Sequence, residues 1–263
     1  MFSRNIFVGV GDFGNRVTLE LSIIKRELRE EIYCENHEEH MDYLSIHSFP
    51  STDTKHMAYL KENDHFIILA GSTLDPNWEE ARKTLYESGP CFMLTIGIDV
   101  QREINTGAFQ PFANECLVFP DPSLFDPVKI AQFVMQIIFI HEPWQSNLCT
   151  RGSLIGYDLG DTKELFAGKV TKSRKMVSDK ESYRQDFSKF LIENKADLSR
   201  AQGILISFWD WDDVLSIPKV CELYEETKRL AMPEADVAFT CHILPGGETA
   251  FMVTLFLTAT QSV

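Results

Sequence analysis

Gly9-Val10-Gly11-Asp12-Phe13-Gly14 places three glycines at the G-x-G-x-x-G spacing, directly after the apolar start Ile6-Phe7-Val8. A strand that feeds such a turn into a helix offers phosphate a row of unhindered N–H groups and a positive helix end. Asp12, however, puts a carboxylate where a phosphate would have to come close. Glu35, about 20 residues beyond, stands where a ribose-binding acid stands in a dinucleotide site. An NAD(P)-binding oxidoreductase is therefore one reading, although EEIYCEN makes a poor strand and nothing downstream resembles a hydride-transfer site.

A second group is acidic. Asp158 and Asp161 lie at i and i+3 in GYDLGD. They share one face if a helix begins there, where two carboxylates could polarise a water. Equally, Asp158 caps the following TKELF and Asp161 favours its first turn. Cys34, His37 and His40, with Glu38, Glu39 and Asp42 nearby, have a compact zinc-like spacing. No fourth ligand is evident, and a solvated acidic connection accounts for them, so no metal site is expected. Trp209-Asp210-Trp211-Asp212-Asp213 offers aromatic anchors to a partner. Alternatively, one tryptophan folds under while the acids begin a helix. Lys169, Lys172, Arg174 and Lys175 form the one place where a phosphate-bearing partner or lipid surface is plausible, or else a lysine-rich strand edge that guards against aggregation.

Composition narrows the classes. The chain has 263 residues, 44% hydrophobic and 24% charged, with a net charge of −14. Such acidity works against sequence-independent binding of nucleic acid, which needs a lysine and arginine surface. It also disfavours direct contact with anionic lipid, so any membrane association is expected to be indirect. The six cysteines are scattered without a CxxC, and the N-terminus lacks a signal-type apolar run. No apolar run reaches the roughly 18 residues of a membrane span. A cytoplasmic, soluble protein is expected.

The elements that must position these residues are legible as periodicity. NIFVGVG reads as a strand, NRVTLELSIIKRELREEI as a helix, and DYLSIHS, HFIILAG, PCFMLTIGI and ECLVFP as further strands. Helices are expected over about 77–87 and 126–141, the latter ended by Pro143. Strands alternating with helices imply a parallel sheet covered on both faces. The order then becomes helix (about 182–194), strand QGILISF, helix IPKVCELYEETKRLA, and two final strands, DVAFTCHIL and TAFMVTLFLTA. These last two are expected to form a hairpin across Pro245-Gly246-Gly247. The fold class is thus α/β: a Rossmann-like parallel-sheet domain over 1–145, including a connecting helix, and a smaller α/β domain with a mixed sheet over 146–263.

Residues Ala196–Thr260, about 65 in all, carry a resemblance. Asp197-Leu198-Ser199, Ala201, Gly203 and Leu205, then a loop, an amphipathic helix and two strands closing on Thr258-Ala259-Thr260, look like the C-terminal domain of FtsZ, of the FtsZ/tubulin superfamily. The N-terminal half is similar more faintly. Val8-Gly9-Val10-Gly11 and Gly14-Asn15 match the family's phosphate-wrapping I-G-V-G-G-x-G-x-N, one residue short. Ala70-Gly71 matches the strand end before its GGGTGTG signature, which here reads Ser72-Thr73-Leu74-Asp75-Pro76-Asn77.

The resemblance implies nucleotide contact by Gly9, Gly11, Gly14, Asn15 and Gly71, with GTP and Mg as the ligands. It makes Asp158 and Asp161 the catalytic acids that one subunit inserts above the next subunit's nucleotide. It also places the loop of Trp209 and Trp211 near the subunit contact. The residues themselves argue against GTP. Pro76 has no N–H, Leu74 adds bulk, and Asp75 adds repulsive charge, while Asp75 and Asn77 suit helix capping. A third glycine-rich loop is replaced by FPSTDTKHMAYLK. The expectation is a degenerate, non-enzymatic member with no cofactor. It would act by association with itself or a related FtsZ-like subunit, as a homo-oligomer, in a cytoskeletal, division or membrane-remodelling process. An active GTPase with atypical loops stands as the alternative.

Overall fold

The computed structural model describes residues 4–32, 44–49, 65–98, 110–121, 124–141, 152–155, 159–210, 215–243 and 251–259. The chain forms two compact units. One comprises Met1–Ile138 with Ala167–Val170 and Gln261–Val263; the other comprises Phe139–Phe166 and Thr171–Thr260.

In the first unit, β1 (Arg4–Val10), β2 (Leu44–Phe49), β3 (His65–Gly71), β4 (Phe92–Gly97) and β5 (Glu115–Phe119) form a parallel sheet in the order β2-β1-β3-β4-β5. Every residue of β4 is buried, as are 66–71 of β3, which is why both read as unbroken apolar runs rather than alternating ones. The register pairs Val10 with Gly71 and Gly71 with Gly97. The glycine turns therefore meet at the carboxyl ends of adjacent strands, the edge where open α/β sheets hold ligands.

Helix α1 (Gly11–Ile32) starts four residues earlier than the apolar periodicity of NRVTLELSII suggests. Gly11, Asp12 and Gly14 consequently lie in its first turn and not in a free loop. Helix α2 (Trp78–Glu87) buries Trp78, Ala81, Arg82 and Leu85, the i, i+3, i+4, i+7 stripe of an amphipathic helix. Its apolar residues pack with Ile6, Val8, Val10, Ile67, Leu69 and Met93.

The buried charge of Arg82 is fully engaged. Its Nε and Nη2 donate to Glu115 at 2.7 and 2.6 Å, and Nη2 also donates to the Gln110 carbonyl at 2.5 Å. Glu115 further accepts from Thr95 Oγ1 at 2.6 Å and from the Phe112 N–H at 2.9 Å. A closed network of this kind fixes α2, and with it the turn before α2, against β4 and β5. Helix α3 (Pro127–His141) follows, capped by Asp126, whose carboxylate accepts from the N–H groups of Val128 and Lys129.

The second unit contains β6 (Gly152–Ile155), α4 (Leu159–Phe166), most of β7 (Lys169–Ser178), α5 (Tyr183–Glu193), the short α6 (Lys195–Leu198), β8 (Gly203–Asp210), α7 (Ile217–Lys228), β9 (Asp236–Ile243) and β10 (Phe251–Ala259). Its strand order is β7-β10-β8-β9-β6. β8 runs parallel to β9 and antiparallel to β10, and β6 lies antiparallel on the far side of β9.

The expected terminal hairpin is therefore wrong. β9 and β10 do not pair; β8, buried at all eight of its positions, lies between them. A strand buried at every position gains most at the centre of a sheet, and α7 supplies the crossover that a parallel β8–β9 pair requires. The mixed character of the sheet is as expected. Pro245-Gly246-Gly247 lies outside the described residues. One sheet face carries an apolar cluster of Ile204, Ile206, Phe208, Phe251, Val253 and Leu255, covered by Phe187 and Leu191 of α5 and Val220 and Leu223 of α7.

Candidate functional site

The glycines at the carboxyl edge of the first sheet are explained by close packing. A Cβ on Gly9 would run into the Gly14 carbonyl and the Thr18 hydroxyl. One on Gly14 would lie 2.6 Å from the Ala70 carbonyl oxygen, and one on Gly71 would lie 2.7 Å from that of Val10. The start of α1 thus lies directly on β1 and β3, and Thr18 Oγ1 secures it by donating to the Gly14 carbonyl at 2.9 Å. Gly11 is different: its φ of +66° is a conformation that side chains resist. Asn15 and Asp12 are exposed on α1.

The turn from Gly71 to α2 is closed upon itself. Leu74 N–H donates to Ser72 Oγ at 3.1 Å, and Asp75 N–H to the Ser72 carbonyl at 3.1 Å. Asn77 N–H donates to Asp75 Oδ1 at 2.9 Å, and Trp78 N–H to the Asp75 carbonyl at 3.0 Å. Pro76 has no N–H to contribute. Four of the donors that could have met an anion are spent inside the turn.

The second carboxylate oxygen of Asp75, Oδ2, rests against the α-carbon of Gly11, in the place a Cβ would take. The helix caps expected of Asp75 and Asn77 do not form: Asn77 holds the N-cap position of α2 without a side-chain cap hydrogen bond, and Asp75, two residues earlier, accepts from the Asn77 N–H. Thr73 Oγ1 and Trp78 Nε1 are buried here without a partner among the described residues. They offer one hydroxyl and one indole donor, neither of which offsets the charge of a triphosphate. A carboxylate thus fills the cradle at Gly11.

The remaining candidates separate. Asp161 is exposed in the first turn of α4, a position that both of its readings require. Asp158 and Trp211 lie outside the described residues, as do Cys34, Glu35, His37 and His40. Trp209 requires a correction: β8 continues through it to Asp210, and the side chain is only 2% exposed. Its Nε1 donates to Ser207 Oγ at 2.8 Å and its ring stacks on His242, so Trp209 is not a surface anchor for a partner. In the basic segment, Lys172 Nζ and Arg174 Nη2 each reach Asp197 at 3.0 Å. Their charges thus hold the Asp197-Leu198-Ser199 segment to β7. Among the described residues, no cluster of three His, Cys, Asp or Glu could hold a metal, and no helix is long and apolar enough to cross a membrane.

Sequence reasoning missed Trp78 and the Arg82–Glu115 pair. Trp78 could have been found from its place at the head of the apolar stripe Trp78, Ala81, Leu85. The ion pair, 33 residues apart, leaves no local signal.

No family model matches the sequence, and no curated protein matches it. Solved structures do. FtsZ of M. jannaschii, solved as an empty dimer, aligns with a TM-score of 0.62 at 15% identity, covering 98% of this chain and 89% of that one. CetZ2 from Haloferax volcanii, solved as a GTPγS-bound protofilament, gives 0.55 at 12%, covering 97% and 92%. TubZ of Bacillus thuringiensis serovar israelensis, in GDP-form protofilaments, gives 0.52 at 12%, covering 97% and 84%. Identities this low speak to fold, and on fold they agree with the resemblance read from Asp197 to Thr260: the chain has the FtsZ/tubulin fold.

Proposed function

We propose that this chain is a divergent FtsZ/tubulin-like subunit that works by associating with copies of itself or with a related subunit, and that its glycine turns no longer hold GTP. The observation that carries the second part is the Asp75 carboxylate seated on Gly11 and bonded to the Asn77 N–H. An anion already fills the turn, and a polyphosphate brought there would meet like charge with the backbone donors spent. The first part draws on structures of the same fold, solved as a dimer and as protofilaments. A head-to-tail contact of that kind yields filaments unless it closes into a ring. The setting that suits such a subunit is a cytoskeletal, division or membrane-remodelling process, with any membrane contact made through a partner. Without GTP turnover, Asp161 serves as a helix-start residue.

Calorimetry of the full chain with GTP and Mg tests the nucleotide reading: no heat of binding is expected, and micromolar binding would favour the active GTPase instead. Light scattering across protein concentration tests assembly. Concentration-dependent growth, indifferent to nucleotide, is expected, and a monodisperse monomer throughout would overturn the subunit reading.

A further inference from the structure

The two faces of the second sheet differ in kind. One is the apolar cluster under α5 and α7. On the other, the register sets Thr254, Ser207 and Thr240 side by side across β10, β8 and β9, and Met252, Trp209 and His242 in the next row. All six are buried, Ser207, Thr240 and His242 completely.

Part of this polar face satisfies itself. Trp209 Nε1 and Thr240 Oγ1 both donate to Ser207 Oγ, at 2.8 and 3.2 Å. The Trp209 ring lies nearly parallel on the His242 imidazole, centroids 4.4 Å apart. The stack covers a face of the imidazole and leaves its nitrogens at the ring edge. Yet among the described residues no side chain or backbone group bonds His242 Nδ1, His242 Nε2 or Thr254 Oγ1.

A neutral imidazole carries one N–H to donate and one lone pair to fill. Leaving buried groups of this kind unmet is costly, and folded proteins rarely tolerate it. An occupant that meets them must both donate and accept. An uncharged occupant suits the site best, because burying an ion is costly and burial already holds the ring neutral. Water is the smallest molecule that qualifies, and the hydroxyl row of Thr254, Ser207 and Thr240 offers it further partners.

We infer that the hydroxyl-lined face of the second sheet is an internal hydration site, with ordered water bonded to the His242 imidazole. Water–protein rotating-frame Overhauser spectroscopy on the full chain tests this. A cross-peak from the His242 ring to a long-lived water is expected, and its absence overturns the site. His242→Phe gives an independent reading, because it keeps the stack and removes both nitrogens. A hydrated imidazole makes the folding constant fall several-fold in urea titration at pH 8. A dry, unmet imidazole makes it rise about tenfold on replacement, which would overturn the inference. If His242→Phe does not fold, the cross-peak decides alone. Density for an organic molecule at the ring in a crystal structure would likewise overturn it.

Discussion

Asp75 lays one carboxylate oxygen against the α-carbon of Gly11 and gives the other to the Asn77 N–H. Gly11→Ala therefore meets two obstacles, a φ of +66° and the Asp75 carboxylate itself. A loss of about 1–3 kcal/mol in urea denaturation is expected. Asp75→Ala gives up the hydrogen bond from the Asn77 N–H, about 1 kcal/mol, but clears the space. The double variant should lose less than the sum of the singles, since contacting residues couple. Strict additivity would show that the two do not touch.

Arg82 and Glu115 are both buried, and the contact between them is two-pronged. Burial works against the Arg82 charge, but the hydrogen bonds and charge of Glu115, then those of Glu79, raise its pKa above the ordinary value. Glu115→Ala strands that guanidinium and also leaves Thr95 Oγ1 and the Phe112 N–H unmet. A loss of about 3–5 kcal/mol is expected from thermal or urea unfolding. Replacing both partners together, Arg82→Met with Glu115→Leu, should cost clearly less than Glu115→Ala alone. Equal losses would mean that the pair is not the source.

How much of this was legible depends on whether the signal is local. β3 and β4 announce themselves as apolar runs, and α2 and α7 as 3.6-residue stripes, because burial acts on each segment by itself. The pairing of β8 between β9 and β10 is a choice among distant segments. The Pro-Gly-Gly turn, a local cue, pointed to the wrong neighbour. The spacing of Gly9, Gly11 and Gly14 was readable but its purpose was not, since phosphate binding and close helix packing both demand the absence of a Cβ. Trp209 was misjudged for a smaller reason. Ser207 and Trp209 continue the period of two by which β8 sends alternate residues to one face, and the alternation shows the strand running past Phe208.

Asp197 receives both Lys172 and Arg174 at 3.0 Å, with its side chain 28% exposed. Burial works against its charge, and the bonds and charges of the two cations outweigh that, holding its carboxyl below the ordinary range. Solvent screens such a site, so Asp197→Asn should cost no more than about 1 kcal/mol in urea titration. The loss should shrink further near 1 M salt, where charges are screened over about 3 Å. A penalty that ignores salt would assign the effect to packing of the segment.

His242 is fully buried in the second unit. Burial pushes its imidazole down from 6.5 to about 4. Loss of hydration is the cause, and the adjoining Cys241 does not oppose it. The Cys241 thiol is itself pushed up to about 12, by burial first and then by Asp210, and so stays neutral. Above pH 6.5 the imidazole is neutral in both folded and unfolded chains, and stability does not depend on it. Below that, the unfolded chain takes up a proton that the folded chain refuses. Stability should therefore fall between pH 6.5 and about 4, by about 3 kcal/mol over the whole window. Urea titrations at pH 7.5, 6, 5 and 4.5, compared with His242→Phe, check this. The variant should lose most of the slope between pH 6.5 and 5, whereas an unchanged slope would place the titrating group elsewhere.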